Sequence, residues 1–125
     1  MEGNKSSYQD LIVWQKAMDL VTSIYELTSK FPHEERFGII SQMRRAAVSI
    51  PSNIAEGKRR YSRLEFCRFL KIAFGSGAEL ETQLEISKRL KFVNDLDYKK
   101  SYDLLNEVMR LLNAIIYKLN SNEPH

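Results

Sequence analysis

The sequence predicts an all-α protein, an antiparallel up-down-up-down four-helix bundle with a kinked second helix. Apolar residues recur at alternating three- and four-residue steps over four long segments, which is the period of one helix face. The 125 residues include only five glycines and three prolines, so few positions oppose a helix. The segments are joined by short connections, which make consecutive helices antiparallel neighbours.

The first helix is predicted over residues 9–29. It ends before Phe31 and Pro32 because the residue that precedes a proline is pushed out of the helical region. The apolar spacing predicts one inward stripe, formed by Leu11, Trp14, Met18, Val21, Tyr25 and Thr28.

The second helix is predicted to begin near Glu34 or Glu35, since acidic residues suit the positive end of the helix dipole. Pro51 falls inside the helix and removes one amide donor, which predicts a kink. Gly57 is expected near the C-terminal cap. The predicted stripe is Ile40, Met43, Ala47, Ile50 and Ile54.

The third helix is predicted to follow a capping box, in which the side chains of Ser62 and Glu65 satisfy each other's free amides. It runs to about residue 90 and contains Gly75 and Gly77, each unfavourable by about 1 kcal/mol relative to alanine. The glycines indicate either a close backbone approach to a neighbouring helix or a local bend. The predicted stripe is Phe66, Leu70, Ala73, Gly77, Leu80 and Leu84.

The fourth helix is predicted to be capped by Asp97 and carries two apolar rows instead of one. A single bundle core needs only one stripe. The wider face therefore either lies between two neighbouring helices or extends to the surface and joins a partner subunit. The first row is Tyr98, Tyr102, Leu105, Met109, Leu112, Ile116 and Leu119, and the second is Leu104, Val108, Leu111 and Ile115.

The composition is typical of one soluble domain. Hydrophobic residues make up 43% and charged residues 28%, as in globular and not disordered chains. We expect a single domain over residues 1–125, with short flexible tails at about 1–8 and 120–125. No apolar run approaches the roughly 20 residues of a membrane span, and the lone Cys67 agrees with a reducing compartment. We therefore expect a cytoplasmic protein without a membrane partner.

Basic residues are concentrated in the middle of the chain. Residues 41–71 contain eight basic and two acidic residues, although the whole chain has a net charge of only +3. Such a segment either attracts phosphate backbones or simply solvates helix ends. The candidate nucleic-acid ligands are basic side chains that contact phosphates and one tyrosine that stacks on an exposed base, namely Arg44, Lys58, Arg59, Arg60, Arg63 and Tyr61.

A second group of polar residues and glycines favours a structural role. Arg44 or Arg45 could pair with Glu56, Glu79 or Glu81 across helices or subunits, while Gln42 and Asn53 satisfy interior polar groups. Pro51 and Gly57 constrain the same region, so we favour this reading for its polar residues. The predicted structural motif comprises Gln42, Arg45, Pro51, Asn53, Glu56, Gly57, Gly77 and Glu79.

No catalytic constellation is found in the sequence. His33 lies in a predicted loop and His125 is the last residue, so no histidine pair shares a helix face as a helical metal site requires. Cys67 lies on or beside an apolar stripe and is expected to be a packed thiol. We expect no enzymatic activity, no metal and no cofactor.

The residues from Asp10 to about Leu119 resemble the 23S rRNA intervening-sequence protein family. The resemblance is carried by Asp10 to Trp14, Phe31 and Pro32, Phe37 and Gly38, Gln42, the run from Arg44 to Gly57, and Ala73, Ser76, Glu79 to Glu81 and Gln83. It implies a four-helix protomer in a barrel-like homopentamer with a basic surface. The family is similar to the accessory variability protein of diversity-generating retroelements, which works with a reverse transcriptase and binds nucleic acid.

These observations predict a non-enzymatic oligomeric scaffold that binds RNA or single-stranded DNA. The partners implied are further copies of the chain, most simply as a pentamer, and a reverse transcriptase or another protein. The alternative is a protein-interaction module that engages an acidic protein partner without nucleic acid.

Overall fold

The computed structural model describes residues 7–121, which form four long α-helices and two short 3₁₀ turns. No strand occurs among these residues. The predicted all-α four-helix bundle is confirmed. The 3₁₀ turns are Tyr8–Asp10 and His33–Glu35, and the helices are α1 (Ile12–Thr28), α2 (Ile39–Lys58), α3 (Arg63–Arg89) and α4 (Asp95–Ser121).

The helices pack in ring order, so that each contacts its neighbours in sequence and α4 closes the ring against α1. The contacts between α1 and α4 run in opposite directions along the two helices. Lys30, just after α1, pairs with Asp97 at the start of α4, whereas Lys16 near the start of α1 pairs with Glu107 farther along α4. None of the helices in residues 7–121 is long and apolar enough to cross a membrane.

The core is formed by one stripe from each helix, and the predicted stripes of α2 and α3 are confirmed. Those of α2 are fully buried, and in α3 only Phe66 is half-buried. The predicted stripe of α1 was wrong for Met18 and Tyr25, which are 41% and 43% exposed, whereas Thr28 is buried and the other members are half-buried against the core. The buried stripe of α1 follows the same spacing one face away and consists of Val13, Ala17, Leu20, Ile24 and Leu27.

Three helix starts differ from the predictions. The glutamates expected to begin α2 lie in or next to a 3₁₀ turn, and α2 begins only after Gly38. At α3, Ser62 Oγ accepts the amide of Glu65, but the Glu65 carboxylate is paired with Arg68. At α4 the cap is Asn94 instead of Asp97, because Asn94 Oδ1 accepts the Asp97 amide at 2.8 Å. The Asp97 carboxylate instead accepts a hydrogen bond from Lys30 Nζ at 2.9 Å.

The glycines of α3 do not interrupt the helix. Gly77 is buried, and a Cβ added there would overlap Met109 Sδ of α4, which confirms a close approach. Gly75 has no atom within 4 Å of such a Cβ. Gly57 lies in the last turn of α2, where an added Cβ would be 2.6 Å from Phe69 Cβ. The helix α2 continues through the buried Pro51, and the kink expected there stays a prediction.

The double apolar row of α4 is divided between the core and the surface. Leu105, Val108 and Leu112 are buried, whereas the flanking members of both rows remain half-buried in the single chain. The helix extends to Ser121, and Ser7 caps the first 3₁₀ turn. The rest of the predicted tails, residues 1–6 and 122–125, lies outside the described residues.

Candidate functional site

The predicted basic turn joins α2 to α3. Its position is fixed on one side by Gly57, which brings the last turn of α2 against Phe69 of α3. On the other side Ser62 caps α3 through its hydrogen bond to the Glu65 amide at 3.2 Å. The turn between these two points carries the predicted ligands Lys58, Arg59, Arg60 and Tyr61, with Arg63 as the first residue of α3.

Three cations of this turn lie over aromatic rings of the same chain. Lys58 Nζ is 5.6 Å from the centre of the Phe66 ring, and Arg59 Cζ is 5.3 Å from that of Tyr8. Arg60 lies 5.0 Å from the Phe69 ring and pairs with Glu56 at 3.0 Å. The rings hold the cations at the surface without burying them, since Arg59 and Arg60 remain exposed.

Tyr61 is the most exposed aromatic side chain of the turn. Its backbone has a φ of 54°, in the left-handed region that glycine usually occupies. The side chain is 80% exposed. An exposed tyrosine ring with arginines nearby in the sequence can stack on a base while the cations contact the flanking phosphates. Arg63 is exposed as well and lies two residues away.

Arg44 does not belong to this site. It lies fifteen residues before Arg59, the residue that follows α2, or about 22 Å along the helix axis at 1.5 Å per residue. Its Nε donates to Thr28 Oγ1 at 2.9 Å, and its guanidinium lies 4.4 Å from the centre of the Tyr25 ring. Arg44 therefore joins α2 to α1, and we do not retain it as a nucleic-acid ligand.

The predicted structural motif is only partly interior. Asn53 Nδ2 donates to Ser49 O at 2.8 Å and to Ser49 Oγ at 3.0 Å, and Ser49 Oγ is 2.8 Å from Ser76 Oγ of α3. Asn53 thus satisfies polar groups within the chain, as predicted. Gln42 is exposed, so its predicted interior role was wrong.

The predicted pairing of Arg44 or Arg45 with Glu56, Glu79 or Glu81 is not formed within residues 7–121. Glu56 pairs with Arg60, one helical turn away. Arg45 and Glu79 are both exposed and line one open groove of about 380 Å³ between α2 and α3. Gln42, Arg45 and Glu79 of the predicted motif lie around this groove, which was not predicted from the sequence. Its lining residues are Gln42, Arg45, Ala46, Ser49, Ser76 and Glu79.

A second groove, between α1 and α2, was not predicted from the sequence. It has a volume of about 630 Å³, and Phe37 at its edge is 85% exposed with the Arg36 guanidinium 4.8 Å from its ring centre. The signal available in the sequence was a bulky apolar residue between a charged residue and Gly38. The groove is lined by Tyr25, Arg36, Phe37, Ile40, Ser41, Arg44, Arg45, Val48 and Ser49.

A third groove, between α3 and α4, combines tyrosines and carboxylates in about 420 Å³. The Arg89 guanidinium, 3.0 Å from Glu85, holds the pKa of that carboxyl below its usual value. Burial, with the charge of Glu85 nearby, raises the pKa of Tyr98. The groove is lined by Glu81, Thr82, Glu85, Ile86, Arg89, Tyr98 and Tyr102.

The part of the chain that the structure describes contains no group of three or more histidine, cysteine, aspartate or glutamate residues placed to hold a metal ion. Cys67 is buried, and its Sγ donates to Asn120 Oδ1 at 3.2 Å. The thiol is packed between α3 and α4, as its place beside an apolar stripe predicted.

The fold and the surface define a small four-helix-bundle protein with a basic turn after its second helix. The chain belongs to the family of 23S rRNA-intervening sequence proteins, whose sequence model matches residues 9–114. It is similar to the crystal structure of a protein of unknown function from the S23 ribosomal protein family of Bacteroides thetaiotaomicron, with a TM-score of 0.78 and 28% identity. That match covers 85% of this chain and 96% of the other. None of the curated proteins matches the chain.

Proposed function

We propose that this protein is a non-enzymatic, oligomeric scaffold of the cytoplasm that binds RNA or single-stranded DNA through the basic turn. The observation that supports the proposal most directly is the exposed Tyr61 ring between Arg60 and Arg63, on a turn that Gly57 and Ser62 hold in place. The half-buried apolar rows of α4 support self-association, because a partner subunit would cover them.

The arrangement suits single strands better than a duplex. A short turn of about six residues offers no helix or ribbon long enough to follow a groove, whereas one stacked base with flanking phosphates fits its size. Self-association would multiply the contacts, because every subunit displays one turn. We expect the affinity to be largely electrostatic and only weakly dependent on sequence.

The test is a fluorescence-anisotropy titration of labelled single-stranded RNA and DNA at several salt concentrations. We expect the logarithm of the wild-type affinity to fall with the logarithm of salt by about 0.7 for each phosphate contacted. Reversing Arg59, Arg60 and Arg63 to glutamate should lower both the affinity and this slope. The matched control reverses three exposed lysines at the opposite end of the bundle, Lys91, Lys99 and Lys100.

The control variant should keep the salt slope of the wild type, because it changes the net charge equally but leaves the turn intact. Equal loss in both variants would mean that net charge and not this turn determines binding. Absence of any binding by the wild type at low salt would favour the alternative, a module that engages an acidic protein partner.

A further inference from the structure

Arg68 lies outside the basic turn in the sequence but beside it in the structure. It is the sixth residue of α3, and its Cζ is 5.0 Å from the centre of the Phe69 ring. Arg60 of the turn lies over the same ring at the same distance. The two guanidinium carbons are therefore at most twice that distance apart. Both side chains are exposed, so a strand that contacts one of them can reach the other.

Each of these two arginines already holds a carboxylate that is close to it in the sequence. Arg60 Nη2 donates to Glu56 Oε2 at 3.0 Å. Arg68 donates from two nitrogens, from Nη2 to Glu65 Oε1 at 3.1 Å and from Nε to Glu65 Oε2 at 3.4 Å. A guanidinium that fits both oxygens of a carboxylate also fits two oxygens of a phosphodiester. The carboxylates therefore occupy positions that phosphate oxygens can take.

The four charges form one network between the end of α2 and the start of α3. The pKa of the Glu65 carboxyl is lowered chiefly by its hydrogen bond with Arg68, and the charge of Arg60 lowers it further. The pKa of Arg68 is raised chiefly by its hydrogen bond with Glu65, and the charge of Glu56 raises it further. Each carboxylate therefore interacts with both arginines and offsets part of their positive charge in the free protein.

Both ion pairs lie where a ligand can reach them. Three of the four side chains are exposed, and Glu65 is half-buried. An ion pair between exposed side chains is weak, because water screens both charges. The exchange of such a carboxylate for a phosphate therefore costs little, and the carboxylate can turn toward solvent.

We propose that Arg68 is a further phosphate ligand of the basic turn, and that Glu56 and Glu65 compete with the strand for Arg60 and Arg68. In the free protein the carboxylates hold the two guanidinium groups, and in the complex a phosphate replaces each carboxylate. The inference rests on the proposed function, since it adds a ligand to the same site and names the groups that limit its affinity.

A purely structural role of the ion pairs makes a different prediction. If Glu65 only stabilises the start of α3 and repels the strand as a negative charge, its neutralisation raises the affinity whether or not Arg68 is present. If Glu65 competes for Arg68, the gain in affinity requires Arg68. A double-mutant cycle separates the two cases, because it measures the coupling between two side chains in the binding of a third group.

The experiment titrates labelled single-stranded RNA with the full chain at several salt concentrations and follows fluorescence anisotropy. Arg68→Gln should reduce the slope of log affinity against log salt by about 0.7, because one phosphate contact is lost. Glu65→Gln should raise the affinity about two- to fivefold, since an exposed ion pair no longer has to be broken. The variant that carries both changes should bind no more tightly than Arg68→Gln alone. Glu56→Gln should gain in the same way, and only while Arg60 is present.

The matched control uses the pair of Glu85 and Arg89 at the other end of α3, which has the same 3.0 Å contact one helical turn apart. Glu85→Gln and Arg89→Gln change the net charge equally and should keep the affinity and the salt slope of the wild type. Circular dichroism confirms that every variant keeps its helices.

The outcomes separate this inference from the proposed function. A wild type that binds no single strand would overturn both. A wild type that binds, and that loses binding when Arg59, Arg60 and Arg63 are reversed, supports the proposed function by itself. In that case an unchanged salt slope in Arg68→Gln, no gain in Glu65→Gln, or a gain that persists without Arg68 would overturn this inference alone.

Discussion

The two ends of α2 use basic residues in different ways. Just after its C-terminal end, Arg59 and Arg60 lie over the rings of Tyr8 and Phe69 and stay at the surface. In its N-terminal half, adjacent arginines diverge, since Arg44 is tied to Thr28 and Tyr25 of α1 while Arg45 is exposed between two grooves. Successive side chains on a helix point about 100° apart. The phase of the helix therefore decides which cation stabilises the bundle and which one remains available to a ligand.

The largest expected loss of stability comes from a substitution that disrupts the contact between the C-terminal end of α2 and α3. Gly57→Ala places a Cβ 2.6 Å from Phe69 Cβ, an atom next to the backbone that cannot swing aside. We expect the free energy of unfolding to fall by about 1–3 kcal/mol, the usual cost of overpacking. Urea denaturation followed by circular dichroism measures it.

The matched control is the same substitution at Gly75, where an added Cβ meets nothing within 4 Å. Gly75→Ala should raise the free energy of unfolding by up to about 1 kcal/mol, because alanine has the higher helix propensity. Equal effects at the two glycines would contradict the close approach of α2 to α3 that positions the basic turn.

A smaller effect separates the two adjacent arginines of α2. Arg44→Ala removes the hydrogen bond to Thr28 and the contact with the Tyr25 ring, so we expect a loss of about 1–2 kcal/mol of stability. Arg45→Ala should change stability by no more than about 0.5 kcal/mol, as for an ordinary surface residue. Thermal denaturation compares the two variants, and a reversed order would contradict the role of Arg44 in joining α2 to α1.

The smallest expected effect is on the pH dependence of stability, through the ion pair of Glu65 and Arg68 at the start of α3. The Arg68 guanidinium holds the pKa of Glu65 below its usual 4.5. The pair therefore contributes its full stabilisation above about pH 4.5, and the contribution is lost as the pH falls through the lowered pKa. Glu65→Gln removes this titration, so the Tm of the variant should depend less on pH below 4.5 than that of the wild type. Parallel curves would exclude a stabilising pair.

The stripes of α2 and α3 could be predicted because each helix offers one clear apolar row. In α1 two rows share the same spacing, and the larger residues of one row, including Trp14 and Met18, favour it on sequence alone over the row that contains Ala17. Burial favoured the second row, since small Ala17 allows α1 to pack closely while Met18 remains 41% exposed.

Those parts of the candidate site that depend on local sequence could be predicted. A run of basic residues between two helices identifies an exposed turn without any tertiary information. The hydrogen bond from Asn53 to Ser49 is also local, since the two residues are four positions apart on one helix. The partner of Arg44 is sixteen residues away on another helix, and the exposure of Phe37 depends on how α1 and α2 meet. Such properties arise from packing between helices, which residue spacing does not encode.

The left-handed backbone of Tyr61 has a consequence in evolutionary terms. A residue with a side chain costs about 1–2 kcal/mol in that conformation, and glycine would avoid most of the cost. The ring is 80% exposed and so recovers little of it by burial. A chain under selection for stability alone would gain from Tyr61→Gly, which makes this position a place where selection for folding and selection for an exposed aromatic surface oppose each other.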